Sequence, residues 1–251
     1  DTEETPGRFP VAGLNSLYFF MPSTSVAGIV SHEILNKYAV DNELKEVKLL
    51  NVVALHPAQW FGTKQAKVLT DLKGLRIRAS GQIESSCIDA LGGVPVNLST
   101  ADLYSALDKG TVDGCFFTYS GSMAFALRVV STNCTEANAQ VRAHLFLMNK
   151  DKYNKLPTDL KKIIDQFATP EMSLKYNQLH EAALAEPRDM VAAGFEMDGS
   201  PIYVLPEEER ANWRTAVQPA WDQWVKDVTA KGIDGAAVMT DTLALIEKYN
   251  K

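Results

Sequence analysis

Between residues 72 and 129 short aliphatic runs alternate with amphipathic ones, and this order restricts the fold more than any other feature of the chain. LRIRAS (75–80) reads as a strand, 82–91 as a helix and 94–97 as a second strand. Thr100 is placed to cap a helix that ends near Gly110. Residues 112–117 then read as a strand and 120–129 as a helix. Strand–helix–strand repetition of this kind predicts parallel βαβ units, which put functional side chains at the carboxyl edge of the sheet.

The flanking regions extend an α/β reading. Ile29, Val30, Ile34, Leu35 and Tyr38 recur at helical spacing within 23–40. VKLLNVVAL (47–55) suits a strand buried on both faces, and 56–64 reads as a loop. RAHLFLM (142–148) is a further strand, and 158–193 reads as one long helix in which Pro170 and Pro187 should introduce a kink or restart a turn. Residues 196–204 return to strand, and 206–230 and 240–249 close the chain as helices.

Several functional classes are excluded. No stretch reaches the roughly 20 apolar residues of a membrane span. The net charge of −6 argues against nucleic acid or an acidic membrane surface as partner. Cys87, Cys115 and Cys134 have no metal spacing, and Cys87 falls on the apolar side of its helix, where a thiol is usually inert. His32-Glu33 is not part of an HExxH motif, because Asn36 stands where the second histidine would be. No nucleophile elbow, phosphate loop or dinucleotide fingerprint occurs. We therefore expect no catalysis, no metal and no cofactor.

Binding chemistry has better candidates. Arg78 ends the strand LRIR, just before the small residues Ala79, Ser80 and Gly81 that open a helix. A guanidinium there can grip a carboxylate at two points, although on pattern alone a strand-end Arg is more often a surface residue. Phe116, Phe117 and Tyr119 end the strand begun at Val112 and could wall a cleft; core packing is the default for Phe116, and Phe117 is evenly balanced. His144 alternates with apolar neighbours in its strand, where hydrogen bonding in the core is commoner than ligand contact. Trp60, with His56, falls in the 56–64 loop and reads equally as a ligand surface or a packed hinge.

DLKGLRIR (71–78) and LGGVPVNLSTADLYSALDKGTVDG (91–114) resemble the core signature of solute-binding proteins of tripartite ATP-independent periplasmic (TRAP) transporters. GRFPV (7–11) and LFLMNKDKYNKLPTDLKKII (145–164) support the resemblance, in the right order and spacing. It implies a two-lobed periplasmic-binding fold with hinge strands and a long lobe-spanning helix. One lobe would comprise 1–72, 135–157 and 195–251, the other 73–134, with 158–194 connecting them. It also implies an extracytoplasmic protein that hands a small organic acid to separate membrane subunits. The family's carboxylate-binding Arg maps onto Arg78, and its other pocket positions onto Phe117, Thr100, His144 and, in the loop, Trp60; Ser80 adjoins the Arg.

Three departures shape the expectation. Ala79-Ser80 replaces a small residue followed by Pro, implying a looser loop. Phe116 and Phe117 replace polar or acidic residues, favouring an acid with an aromatic or branched apolar tail over a sugar acid. The family also begins with a further βαβ segment before its RFP motif, here at 8–10, and no signal peptide is legible. A truncated or incomplete first lobe is thus expected, with a cleft that is more open or completed by a second chain, as a homodimer. The rival readings are an enzyme on the same fold and a truncated form that binds nothing.

Overall fold

Two polypeptide stretches, 47–62 and 133–149, run side by side in opposite directions through most of the molecule. In the computed structural model, which describes residues 8–250, they set its architecture; Gly7 of the GRFPV motif lies outside the described residues. The chain runs α1 (Thr24–Tyr38), β1 (Val47–Ala54), β2 (Ala58–Gly62), β3 (Arg76–Ala79), α2 (Gln82–Ala90), β4 (Val94–Asn97), α3 (Leu103–Asp108) and β5 (Gly114–Phe117). It continues with α4 (Tyr119–Ala124), α5 (Leu127–Val130), β6 (Asn133–Gln140), β7 (Ala143–Asn149), α6 (Lys150–Asn154), α7 (Thr158–Phe167), α8 (Pro170–Ala182) and α9 (Ala185–Met197). It closes with β8 (Tyr203–Val204), α10 (Glu207–Ala216), α11 (Gln218–Ala230) and α12 (Gly235–Tyr249).

One body is a six-stranded sheet in the order β4-β3-β5-β2-β6-β8. The predicted βαβ units form its parallel part, β4-β3-β5, while β2 is antiparallel to both β5 and β6. The other body is the antiparallel ribbon of β1 and β7, with α1 and α8 packed on β1. The crossing stretches link the two: Ala54 pairs with Ala143, the Leu55 amide donates to the Arg142 carbonyl at 2.7 Å, and Ala58 pairs with Gln140. This is a two-lobed α/β arrangement with hinge strands.

Local chemistry explains the elements. Asp113 accepts from the Arg76 backbone amide and, at two points, from its guanidinium, which locks the starts of β3 and β5 together. Gly62 and Gly114 leave room for the Trp60 ring, which a Cβ at either position would strike. The β2 strand replaces the loop expected at 56–64: the five residues from Ala58 to Gly62, preceded by Pro57 and ended by a glycine, look like a turn, yet all five are buried. The expected double-sided burial of β1 is also corrected, since only Leu49, Val52 and Ala54 are buried there. Its outer edge is closed by a helix instead of a strand. Ser173 and Asn177 of α8 bond Val52 N, Val52 O and Ala54 N, which pairs the ladder groups at the carboxyl end of that edge.

Helix boundaries supply further corrections. The single helix expected over 158–193 is three segments, α7, α8 and α9. Pro170 begins α8 in its first turn, as a residue without an N–H can, and Pro187 sits in the first turn of α9. The 206–230 helix divides at Val217, ahead of Pro219. The 120–129 helix breaks at Ala126, which is left-handed at φ 53°. Thr100 does not cap α3; the residue at that position is Asp102. The strand expected at 196–204 shrinks to β8, because α9 carries on to Met197.

His32 makes the contact between α1 and α8 sensitive to pH. Its Nδ1 lies 2.7 Å from Ser173 Oγ, its Nε2 is buried without a partner, and burial lowers its pKa to about 4. The unfolded chain therefore binds a proton that the native one refuses between about 6.5 and 4. Stability is fully present above the higher value and declines by ~3 kcal/mol as pH falls through that window. An NMR titration should find His32 neutral down to about pH 5; a midpoint at the ordinary imidazole value would contradict this.

Candidate functional site

The carboxyl ends of β3 and β5 open onto a cavity of about 510 Å³ where the hinge strands cross. This is within the size range of small-ligand sites. Arg78, Thr100, Phe116, Phe117 and Phe125 line one side; Leu55, His56, Arg142 and His144 line the other. Both walls come from this one chain, and neither the site nor the similar proteins below support the homodimer expected to complete it.

Arg78 ends β3 with only 3% of its surface exposed. Its Nε donates to the Leu98 carbonyl at 3.1 Å and a terminal nitrogen to Thr100 Oγ1 at 3.1 Å, which fixes the plane of the guanidinium. Thr100 thus holds Arg78 in place, a role different from the helix cap its sequence suggested. Phe117 follows from the end of β5. Its ring lies over Gly121, where a Cβ would collide with it, and meets Phe125 edge-on with centroids 5.9 Å apart. Thr118 turns the chain into α4 by accepting from the Gly121 amide at 3.0 Å. A charged group and an aromatic surface therefore share one cavity because neighbouring parallel strands end together.

His144 projects from β7 into the same cavity. Burial and the nearby Arg142 charge hold its pKa below the usual imidazole range. His56 stacks on His180 with ring centroids 4.2 Å apart, and its Nε2 donates to the His180 carbonyl at 2.8 Å. Burial lowers the His56 pKa as well. Among the described residues lining the cavity, none is acidic.

Two expected site residues lie elsewhere. Trp60 is wholly buried in the sheet core, where its indole N–H donates to the Lys64 carbonyl at 2.9 Å and its ring meets Phe116. It belongs to β2, so its side chain is committed to packing. Ser80 borders a separate small cavity with Asn97, Leu98 and Ser99, and its hydroxyl is engaged by Glu84 and Arg142. Arg78, Thr100, Phe117 and His144 are brought together.

Sequence reasoning missed Arg142, Gln140 and Phe125. Arg142 had a legible signal: it stands between Val141 and Ala143, where a cation needs either a buried partner or a cavity. It has both, bordering the cavity and pairing with the buried Glu84. Cys87, Cys115 and Cys134 are all buried, and burial pushes the Cys115 thiol up to about 12. Among the described residues no group of three or more His, Cys, Asp or Glu is placed to hold a metal ion, and no helix is long and apolar enough to cross a membrane.

Known proteins are similar to this chain in sequence and in fold. The C4-dicarboxylate-binding periplasmic protein DctP of Shewanella loihica is 27% identical over 203 residues, which are 80% of this chain and 59% of that protein. The chain thus spans less than two thirds of that relative's length. A TRAP solute-binding protein of Rhodoferax ferrireducens, solved with copurified benzoate, superposes with a TM-score of 0.87 at 27% identity, covering 99% of this chain and 77% of that one. A marine metagenome TRAP solute-binding protein specific for aromatic acid ligands, solved with metahydroxyphenylacetate, gives a TM-score of 0.87 at 26% identity, with coverages of 99% and 78%. The family described as bacterial extracellular solute-binding protein, family 7 (DctP), matches residues 2–227. With nine-tenths of its length inside that match, the chain belongs to the DctP family of bacterial extracellular solute-binding proteins.

Proposed function

We propose that the protein is the extracytoplasmic receptor of a TRAP-type secondary transporter and captures a small organic carboxylate with an aromatic or branched apolar body. The observation that carries this reading is the buried Arg78 guanidinium in the same cavity as the Phe117–Phe125 pair. Arg78 would hold the carboxylate through charge-assisted hydrogen bonds, Phe117 and Phe125 would cover the body, and Thr100 and His144 would complete the wall. The two similar proteins that bind benzoate and metahydroxyphenylacetate favour an aromatic acid; the DctP relative is named for C4-dicarboxylates. The acid is bound without turnover and passed to separate membrane subunits.

The lobes are proposed to follow the two sheets, with β2, β6 and β8 in the lobe of β3–β5 and with β1 and β7 in the other. The division expected from the sequence, 1–72 with 135–157 and 195–251 against 73–134 and 158–194 between them, would cut the six-stranded sheet. We place the hinge at 55–57 and 141–142, where the paired strands leave one sheet for the other. Ligand contacting both walls would shift the population toward a closed form.

A thermal-shift panel of benzoate, phenylacetate and succinate tests the reading. An acid at a hundred times its dissociation constant adds about 2.7 kcal/mol to native stability. The aromatic acids should raise the melting temperature more than succinate does, and be recovered unchanged. A panel in which no acid shifts the melt overturns the proposal. Within this site Phe117→Asn should weaken benzoate about tenfold in calorimetry, a loss near 1.4 kcal/mol, while acids with more polar bodies lose less. Equal losses across the panel would remove Phe117 from selectivity.

A further inference from the structure

Arg142 borders the cavity from the hinge strands, and its charge is answered from behind the wall. Its guanidinium is ion-paired with Glu84 Oε1 and donates to Ser80 Oγ at 2.6 Å. Glu84 stands in the first turn of α2 with 2% of its surface exposed. Its Oε2 accepts from the Ser80 amide at 2.8 Å and the Ser80 hydroxyl at 2.9 Å, while its Oε1 also accepts from Gln140 Nε2 at 3.0 Å. Four donors converge on this carboxylate, an arrangement that suits its charged form, and a buried charge requires a matching one. Glu84 lines no part of the cavity itself, so a ligand meets the Arg142 cation but not the carboxylate that neutralises it.

We propose that Glu84 sets the charge of the acid this cleft accepts, cancelling Arg142 so that monocarboxylates bind in preference to dicarboxylates. The inference rests on the reading of Arg78 as carboxylate anchor. With Arg78 serving one carboxylate, Arg142 is the other arginine or lysine lining the cavity that could neutralise a second. Turning Arg142 toward it would strip Glu84 of its ion-pair partner inside the protein. Burying the second carboxylate without Arg142 would leave a charge desolvated against Phe116, Phe117 and Phe125. A monocarboxylate requires neither. The four-way support of Glu84 is therefore a selectivity device as well as a link between α2 and the hinge strands.

The test compares benzoate with phthalate, which have the same ring but one and two carboxylates, by calorimetry on the wild type and on Glu84→Gln. Glutamine keeps the shape and can still accept from Ser80, but it removes the charge that cancels Arg142. We expect the wild type to favour benzoate at least about a hundredfold, and Glu84→Gln to move that ratio at least about tenfold toward phthalate. The double variant Glu84→Gln/Arg142→Gln, which removes both members of the pair, should return the preference to benzoate and serves if the single variant does not fold. Wild type binding both acids equally, a ratio that does not move in Glu84→Gln, or a double variant that prefers phthalate overturns the proposal while leaving the carboxylate receptor standing. Failure of the wild type to bind either acid, or any acid of the panel, overturns both.

Discussion

Arg78→Ala should lower affinity for the best aromatic acid by about a hundredfold or more. Charge-assisted hydrogen bonds are worth roughly 1.5–3 kcal/mol each, and a two-point grip supplies two of them. The variant also leaves the bound carboxylate without its cation in a partly dried cleft. Arg78→Lys should cost about tenfold or more, because an ammonium cannot reproduce the planar grip and cannot hold both Leu98 and Thr100 as the guanidinium does. Those two bonds mean that Arg78→Ala also loosens the 98–100 turn, so melting curves belong beside the calorimetry. Native-like melting with Arg78→Ala affinity within about threefold of wild type would remove Arg78 from the anchor role.

The largest expected effect on stability falls on the residue that left the site. Trp60→Ala should destabilise the protein by about 3–5 kcal/mol, the usual cost of truncating a fully buried large aromatic. The ring is wedged over Gly62 and Gly114 and packs on Phe116, so its loss empties the middle of the six-stranded sheet. For a chain of this size that corresponds to a fall in melting temperature on the order of 10 °C. Trp60→Phe should recover much of the loss. If Trp60 were instead a ligand contact, Trp60→Ala would weaken acid binding while leaving the melt nearly unchanged, and denaturant titration beside calorimetry separates the two.

The parallel core was legible because its information is local. Gly74 turns the chain at φ 72°, LRIR alternates aliphatic residues with arginine over a short run, and Arg78 stands at its end, so that strand, helix and edge follow from spacing. The strands β2 and β6 were not legible, for opposite reasons. Pro57 and Gly62 bracket β2 like a loop, although Gly62 is there for the Trp60 ring. In contrast, β6 reads NCTEANAQ, too polar for a buried strand until its partners are known. Thr135 donates to the Ala66 carbonyl at 2.8 Å and Gln140 to the Ser16 carbonyl at 2.8 Å, so the buried polar atoms are satisfied by residues distant in sequence.

The same limit applies to the cavity. One wall, with Arg78, Thr100 and Phe117, comes from strand ends and the turn after β4, and could be anticipated. The other depends on two strands more than eighty residues apart crossing together between sheets, and on Glu84 reaching Arg142 from α2. Nothing in the spacing of residues 82–91 announces that pairing. The stretch 158–193 is divided where Pro170 and Pro187 predict a kink or a restarted turn, each proline standing in the first turn of the next helix, so what the sequence leaves open is a full break in place of a kink.

The most direct test of the whole account is a crystal structure of the protein grown with benzoate. The carboxylate should lie within about 2.7–2.9 Å of the Arg78 guanidinium nitrogens, with the ring against Phe117 and Phe125 and the Arg142–Glu84 pair intact. Benzoate bound outside this cavity, or within it with its carboxylate turned away from Arg78, would contradict the account.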